Sequence, residues 1–425
     1  MTRNHRRQFL KLAGATGLTA AGLSACTLGQ PKARVVVIGG GFGGATAARY
    51  VRMADPAIEV TLLERDAQYF TCPFSNLVLG GMKTMADITQ GHDKLAKQSG
   101  IKVVRDEAVA VDPAKKEVRL KGGASLPYDK LIVSPGIDLN FAAVPGYDEA
   151  AAELAPHAWK AGPQTVLLRR QLEAMADGGT VVIAPPANPF RCPPGPYERA
   201  SMIAHYLKQA KPRSKIVIVD PKPAFSKQAL FQDAWQTLYP GMISWEGLPQ
   251  GTGFTRVDAA AKTVFTGMGQ WKGDVLNFIP PQRAGAIAAG AGLTNQTGWC
   301  PIDPATMEST QVKNIHVIGD ATIAGAMPKS GSAANAQGKV AAAAVVAMLN
   351  GRTPAGASYL NICYSLVGSN YGISVTGVYR PGATGIAEVP NSGGVSPRQA
   401  DAAFRRQEAL YTQGWYDSIT QDAWG

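Results

Sequence analysis

Short apolar runs rich in β-branched residues recur along this chain, each bounded by glycine, proline or charge. They are Val35–Ile38, Ile58–Leu63, Leu131–Val133, Val181–Ala184, Ile216–Val219 and Ile315–Ile318. Apart from Glu59 and Thr61 in the second run and His316 in the last, the runs are continuously apolar, and such runs predict strands buried on both faces, as parallel sheets require. Two alanine-rich stretches read as helices, one opening after Gly44 and one from Val340 to Leu349. Strands alternating with helices predict an α/β fold. The runs fall into two groups, and the last returns to the first. This predicts two Rossmann-like α/β units plus a C-terminal α+β domain. The expected boundaries are 33–145 with 281–350 for the first unit, 146–280 for the second unit, and 351–425 for the C-terminal part.

The first run leads into Gly39-x-Gly41-x-x-Gly44. The first glycine permits the turn, the second lets a pyrophosphate approach, and the third lets helix and strand pack closely. Glu64 closes the next run, twenty residues past Gly44, where a carboxylate can accept from ribose hydroxyls. Gly319-Asp320 ends the returning strand and is the arrangement in which a carboxylate holds the ribityl chain of FAD. A helix N-terminus beyond it would favour negative charge on the reduced ring.

The second unit lacks this chemistry. Its first strand runs into Pro185-Pro-Ala-Asn-Pro-Phe-Arg-Cys-Pro-Pro-Gly-Pro196. Proline removes amide donors, so this loop cannot cradle a pyrophosphate. The unit reads as a former NAD domain, and NAD(P)H is not expected as the electron source.

The chain has 425 residues and a formal charge of +11. Four of its cations (Arg3, Arg6, Arg7 and Lys11) lie in an N-terminal segment expected to be removed, and no cluster of nucleic-acid type remains. That segment, residues 1–26, carries a twin-arginine export motif at Arg6-Arg7 before a short apolar run. A periplasmic location follows. Leu23-Ser24-Ala25-Cys26 also resembles a lipobox; a lipid on Cys26 would be the only membrane attachment, ordinary cleavage nearby being the alternative. No CxxC or CxxCH occurs, so no metal site and no haem are expected on this chain.

Of the remaining cysteines, Cys192 lies in the proline-rich loop and Cys363 follows the second alanine-rich helix. They are far apart in sequence, which alone does not show that they meet. A disulfide between them beside a flavin could be attacked by a soft nucleophile. Glu198, six residues past Cys192, is a nearby acid–base candidate, with a solvated helix residue as the alternative. Cys72 lies just past the second strand, where a thiol could form an 8α-thioether to the ring, or simply be buried. Cys300 reads as a packed thiol with no role.

Taken together, these motifs resemble the flavoprotein subunit of flavocytochrome c sulfide dehydrogenase. The likeness is densest at Gly178–Ala200, Ile279–Gly285 and Met327–Gly331, the last bringing Lys329 into the cofactor-binding set. The resemblance implies that Cys192 and Cys363 form a redox-active disulfide near Glu198, that Cys72 carries FAD through an 8α-S-cysteinyl bond, and that Trp415 lies near the flavin. It also implies oxidation of hydrosulfide to zero-valent sulfur or polysulfide, with electrons leaving to a c-type cytochrome subunit that carries the haem. This chain departs from the family pattern in following Cys72 with Pro73-Phe74. The alternatives are a sulfide:quinone oxidoreductase, against which the polar stretch Ser392–Glu408 argues, and a non-catalytic flavin-binding partner in sulfur metabolism.

Overall fold

The computed structural model describes residues 31–425; the twin-arginine motif, the lipobox and Cys26 lie outside the described residues. The first apolar run is strand β1 (Ala33–Ile38), followed by helix α1 (Phe42–Ala54) and strand β2 (Ile58–Leu63). A short helix α2 (Ser75–Leu79) and strands β3 (Lys102–Val104) and β4 (Lys130–Val133) complete the first pass. The second unit contributes β5 (Thr180–Ala184), α3 (Gly195–Ala210), β6 (Lys215–Asp220), α4 (Gln228–Leu238), β7 (Ile243–Gly247) and β8 (Val275–Phe278). The chain then returns through β9 (Ile315–Val317) and α5 (Gly331–Leu349). It ends in β10 (Tyr359–Gly368), β11 (Tyr371–Gly382), β12 (Gly385–Glu388) and α6 (Ala402–Trp424).

Two parallel sheets organise these elements. The first has the order β9-β4-β1-β2-β3 and the second β7-β6-β5-β8. Val35 pairs with Val60 on one side and Lys130 on the other, so β1 is central, and residues 35–38 are almost wholly buried. Helices cover both faces of such a sheet, which is why the sequence shows unbroken apolar runs. Strand β9 adds to the edge of the first sheet beside β4, so the returning chain delivers Gly319 and Asp320 to the carboxyl end of the sheet, where open α/β folds bind ligands. Among the described residues no helix is long and apolar enough to cross a membrane.

One local reading changes. Helix α5 opens at Gly331, nine residues before the predicted Val340. Ser330 caps it, its hydroxyl accepting from the Ala333 amide at 3.0 Å, so a Gly/Ser-rich stretch that resembles a loop is the first turn of a capped helix. The C-terminal region 351–425 packs closely on the rest of the chain. Helix α6 docks on the first unit: the Asp422 carboxylate meets Lys339 Nζ at 2.8 Å, Asn335 Nδ2 at 2.8 Å and the Tyr50 hydroxyl at 2.7 Å. Its spaced apolar positions, Tyr416, Ile419 and Ala423, are buried, a helical stripe that the surrounding polar residues obscure.

Candidate active site

The carboxyl ends of the first sheet, the N-termini of α1 and α5 and the start of α3 surround one cavity of about 1200 Å³. That is larger than ordinary small-ligand pockets, which run to roughly 1000 Å³. Gly39 has φ +92°, and a Cβ there would sit 2.3 Å from the Ser134 carbonyl oxygen. At Gly44 a Cβ would lie 1.8 Å from the Gly39 carbonyl oxygen, so helix and loop approach as only glycine allows. Glu64 lines the cavity and holds the loop, its carboxylate accepting from the Gly40 amide at 2.7 Å and the Asp66 amide at 3.0 Å. The Gly40 carbonyl is fixed from behind by His92 Nε2 at 2.8 Å and by Trp424 Nε1 at 3.1 Å.

Asp320 lines the same cavity. Its Oδ1 is buried without a partner among the described residues, and burial holds its carboxyl above the usual range despite Arg191 and Lys329 nearby. A buried acceptor left unsatisfied is costly, and a ligand hydroxyl would satisfy it. The residues therefore fit FAD: α1 amides and Gly41 for the pyrophosphate, Glu64 for a ribose, Asp320 for the ribityl chain, and the α5 N-terminus for the ring's electron-rich edge.

Lys329 does not line this cavity. Its ammonium donates to the carbonyl oxygens of Asp320 at 2.9 Å and Thr322 at 2.6 Å, and lies 3.9 Å from the centre of the Trp299 ring. Burial lowers it to about 8. Lys329 thus secures the turn that aims Asp320, and its expected place among the cofactor contacts is corrected to that supporting one. Trp415 does line the cavity, on α6, with its ring 6.4 Å from that of Tyr364.

The far end of the cavity is sulfur-rich: Cys72, Cys192 and Cys363 all line it, as free thiols. Cys192 has φ +59°, an unusual conformation for a side-chain-bearing residue. Its amide donates to the Lys329 carbonyl at 2.8 Å and its carbonyl accepts from the Gly195 amide at 2.8 Å, fixing it just before α3. Cys363 lies on β10, with Lys227 Nζ donating to its carbonyl oxygen at 3.0 Å and to Ser365 Oγ at 2.8 Å. Burial raises the Cys363 thiol, and Lys227 opposes that rise.

The Cys72 thiol lies within interacting reach of Cys192. Asn76 ties the Cys72 turn to α3: its Nδ2 donates to the Gly195 carbonyl at 3.2 Å and its Oδ1 accepts from Arg199 Nε at 3.1 Å. The interaction with Cys192, aided by Arg191, holds the Cys72 thiol below the usual thiol range, and the same interaction together with burial raises Cys192.

Glu198, on the first turn of α3, lines the cavity beside these sulfurs. Burial pushes it up to about 7, against the opposing charge of Lys227 and a hydrogen bond with Ser365. A carboxyl in that range can give or take a proton near neutrality. Sequence reasoning missed Arg191, Arg199 and Lys227, the cations of this end. Arg199 is wholly buried, donating to the carbonyls of His157 at 2.8 Å and Ala158 at 2.6 Å. Arg191 adjoins Cys192 in the quoted loop, and its place beside a thiol pair was the available signal.

In the second unit, Asp220 ends β6, where a nicotinamide domain carries its ribose-binding acid. Here it is fully buried and bound by Tyr197 Oη at 2.5 Å, Trp245 Nε1 at 3.0 Å and Lys222 Nζ at 2.6 Å.

Three family models match the chain. "Sulfide dehydrogenase [flavocytochrome c] flavoprotein chain, central" covers residues 165–280, "Flavocytochrome c sulphide dehydrogenase, flavin-binding" covers 355–424, and "Pyridine nucleotide-disulphide oxidoreductase" covers 33–175. The sulfide dehydrogenase flavoprotein chain of Chlorobaculum thiosulfatiphilum is 62% identical over 45 residues, 94% of that short sequence and 11% of this chain. Mouse mitochondrial sulfide:quinone oxidoreductase is 21% identical over 320 residues, 70% of this chain and 67% of that protein. The crystal structure of sulfide:quinone oxidoreductase from Aquifex aeolicus superposes with a TM-score of 0.69 at 17% identity, covering 92% of each chain, a likeness of fold. With the glycine loop and the orphaned Asp320 fitting FAD, the matches at both the central and the C-terminal regions leave one assignment: this chain belongs to the family of flavocytochrome c sulfide dehydrogenase flavoprotein chains, flavin-binding oxidoreductases of sulfide oxidation.

Proposed function

We propose that this chain oxidises hydrosulfide to zero-valent sulfur or polysulfide through a redox-active Cys192–Cys363 disulfide. The observation that supports the reading is that both thiols and Glu198 line the cavity that fits FAD, with Lys227 held on the Cys363 carbonyl. Hydrosulfide attacks the Cys192 sulfur; the Cys192–Cys363 bond breaks, a persulfide forms on Cys192, and Cys363 leaves as a thiolate. The Lys227 ammonium stabilises that leaving group, and protonated Glu198 can supply its proton. A second hydrosulfide taking the outer sulfur of the persulfide releases a two-sulfur anion and leaves a dithiol. FAD, when bound, supplies the two-electron oxidation of that dithiol and hands electrons on singly.

The acceptor we propose is a c-type cytochrome subunit that carries the haem, after twin-arginine export to the periplasm. The absence of a haem-attachment motif in this chain supports it. The proline loop and the internally bound Asp220 support a second unit that does not take NAD(P)H. We propose covalent attachment of FAD at Cys72; a thiol lowered toward the thiolate supports a nucleophile there. Likeness to sulfide:quinone oxidoreductase favours quinone as the second acceptor to test. Sulfide-dependent reduction of cytochrome c, compared with a short-chain quinone and with NADH as donor, decides between them. Cytochrome reduced at least about tenfold faster than quinone is expected, a difference of roughly 1.4 kcal/mol in barrier; the reverse order overturns the acceptor. An acid-precipitated pellet that stays yellow and yields a flavinylated Cys72 peptide is expected for the covalent bond.

A further inference from the structure

The cavity holds three thiols where a redox disulfide needs two. All three stand on anchored backbone. Asn76 locks the Cys72 turn to the Gly195 carbonyl and to Arg199. The Lys329 carbonyl holds the Cys192 amide at 2.8 Å. Lys227 holds the Cys363 carbonyl at 3.0 Å. All three thiols line the one cavity, and Cys192 is the one that interacts with both of the others. Arg191 places its positive charge beside Cys72 and Cys192.

We infer that Cys192 is a shared sulfur, able to bridge to Cys72 as well as to Cys363, so that oxidation of the chain before flavin is attached closes Cys72. This inference rests on the proposed Cys192–Cys363 disulfide. The Cys72 thiolate attacks Cys192 within that disulfide; the Cys192–Cys363 bond breaks and the Cys72–Cys192 bond forms. Cys363 departs as a thiolate beside Lys227 and takes its proton from Glu198. One disulfide is consumed and one made, so the exchange needs no further oxidant. The low position of the Cys72 thiol favours it as the attacking sulfur. A consequence for the order of events follows: flavin attachment at Cys72 must come before the thiols are oxidised, in a reducing setting. Once Cys72 is occupied, Cys192 has only Cys363 to pair with, and the redox disulfide is fixed.

The test uses the full-length chain purified from flavin-depleted cells, oxidised with glutathione disulfide, quenched in acid, alkylated and mapped as non-reduced peptides. A Cys72–Cys192 bridge is expected, with FAD incorporation falling roughly tenfold and recovering after dithiothreitol. Cys363→Ser should raise the share of that bridge, while Cys72→Ala should leave Cys192–Cys363 alone. If wild-type flavin-free chain shows only Cys192–Cys363, or no bridge from Cys192 at all, the shared-sulfur inference is overturned. Flavin-loaded protein mapped in parallel separates the two ideas. A missing Cys192–Cys363 bridge there defeats the proposed catalytic disulfide, whereas its presence without exchange in the flavin-free chain defeats only this one.

Discussion

Lys227 Nζ donates to the Cys363 carbonyl oxygen at 3.0 Å, placing a buried cation against the sulfur-bearing residue of β10. Its second bond, to Ser365 Oγ at 2.8 Å, keeps it there. A cation so placed lowers the energy of a Cys363 thiolate. Lys227→Met should therefore slow sulfide oxidation by about tenfold, a barrier change near 1.4 kcal/mol, and shift the rate profile toward higher pH. Flavin content should not change. A wild-type pH–rate profile in the variant would remove Lys227 from the chemistry.

Glu198 gives a prediction in pH. Burial raises its carboxyl to about 7, so it holds a proton at pH 6 and loses it through neutrality. As a proton donor it works below that value, and the rate should fall as pH rises past 7. Glu198→Gln should lower the rate at pH 6 by roughly 10²-fold and abolish that limb. The stability sign is separate. The folded state keeps the proton between the unfolded value of about 4.3 and about 7, so the contribution present below 4.3 is lost as pH rises to 7. Glu198→Gln should flatten Tm across that window, which thermal unfolding at pH 5 and 7.5 would reveal.

Much of the flavin unit was legible in the sequence, because parallel strands covered on both faces leave unbroken apolar runs. The glycine loop, Glu64 and Asp320 follow at fixed offsets from those strands. The cysteine-bearing part of the cavity was less so. Cys192 and Cys363 stand out as thiols, but their meeting depends on β10 and on the loop before α3 arriving at one cavity end from elements 171 residues apart. The place of Cys72 beside Cys192 depends on Asn76 bridging to α3, a tertiary contact with no local pattern. Lys227 and Arg199 carry no motif, since a buried cation reads as a surface one until its partners are seen. Helix α6 was hidden because its apolar stripe is narrow and lies among charged residues.

The tightest steric limit in the glycine loop gives a third prediction. A methyl group at Gly44 would lie 1.8 Å from the Gly39 carbonyl oxygen, a backbone atom that cannot swing aside. Gly44→Ala should push α1 away from the loop and leave the protein without flavin, its visible absorbance lost. Yellow protein at wild-type flavin stoichiometry would show that the loop does not set the cofactor's place.

The last prediction concerns the penultimate residue. Trp424 is almost fully buried; its Nε1 donates to the Gly40 carbonyl at 3.1 Å, and its ring lies 4.9 Å from Phe42 and 5.3 Å from Tyr69. It therefore packs on the back of the glycine loop, and removing it leaves both a void and a carbonyl that keeps only His92. Truncating a buried tryptophan to alanine costs about 3–5 kcal/mol. Trp424→Ala should lower stability by that amount in denaturant titration and weaken FAD retention, with Trp424→Phe recovering most of the packing but not the hydrogen bond. A contact between the end of the chain and the start of the nucleotide loop also predicts that trimming the last turn of α6 releases flavin before it disturbs the second unit. Limited proteolysis followed by flavin release measures that order, and loss of the second unit first would mean that α6 does not support the loop.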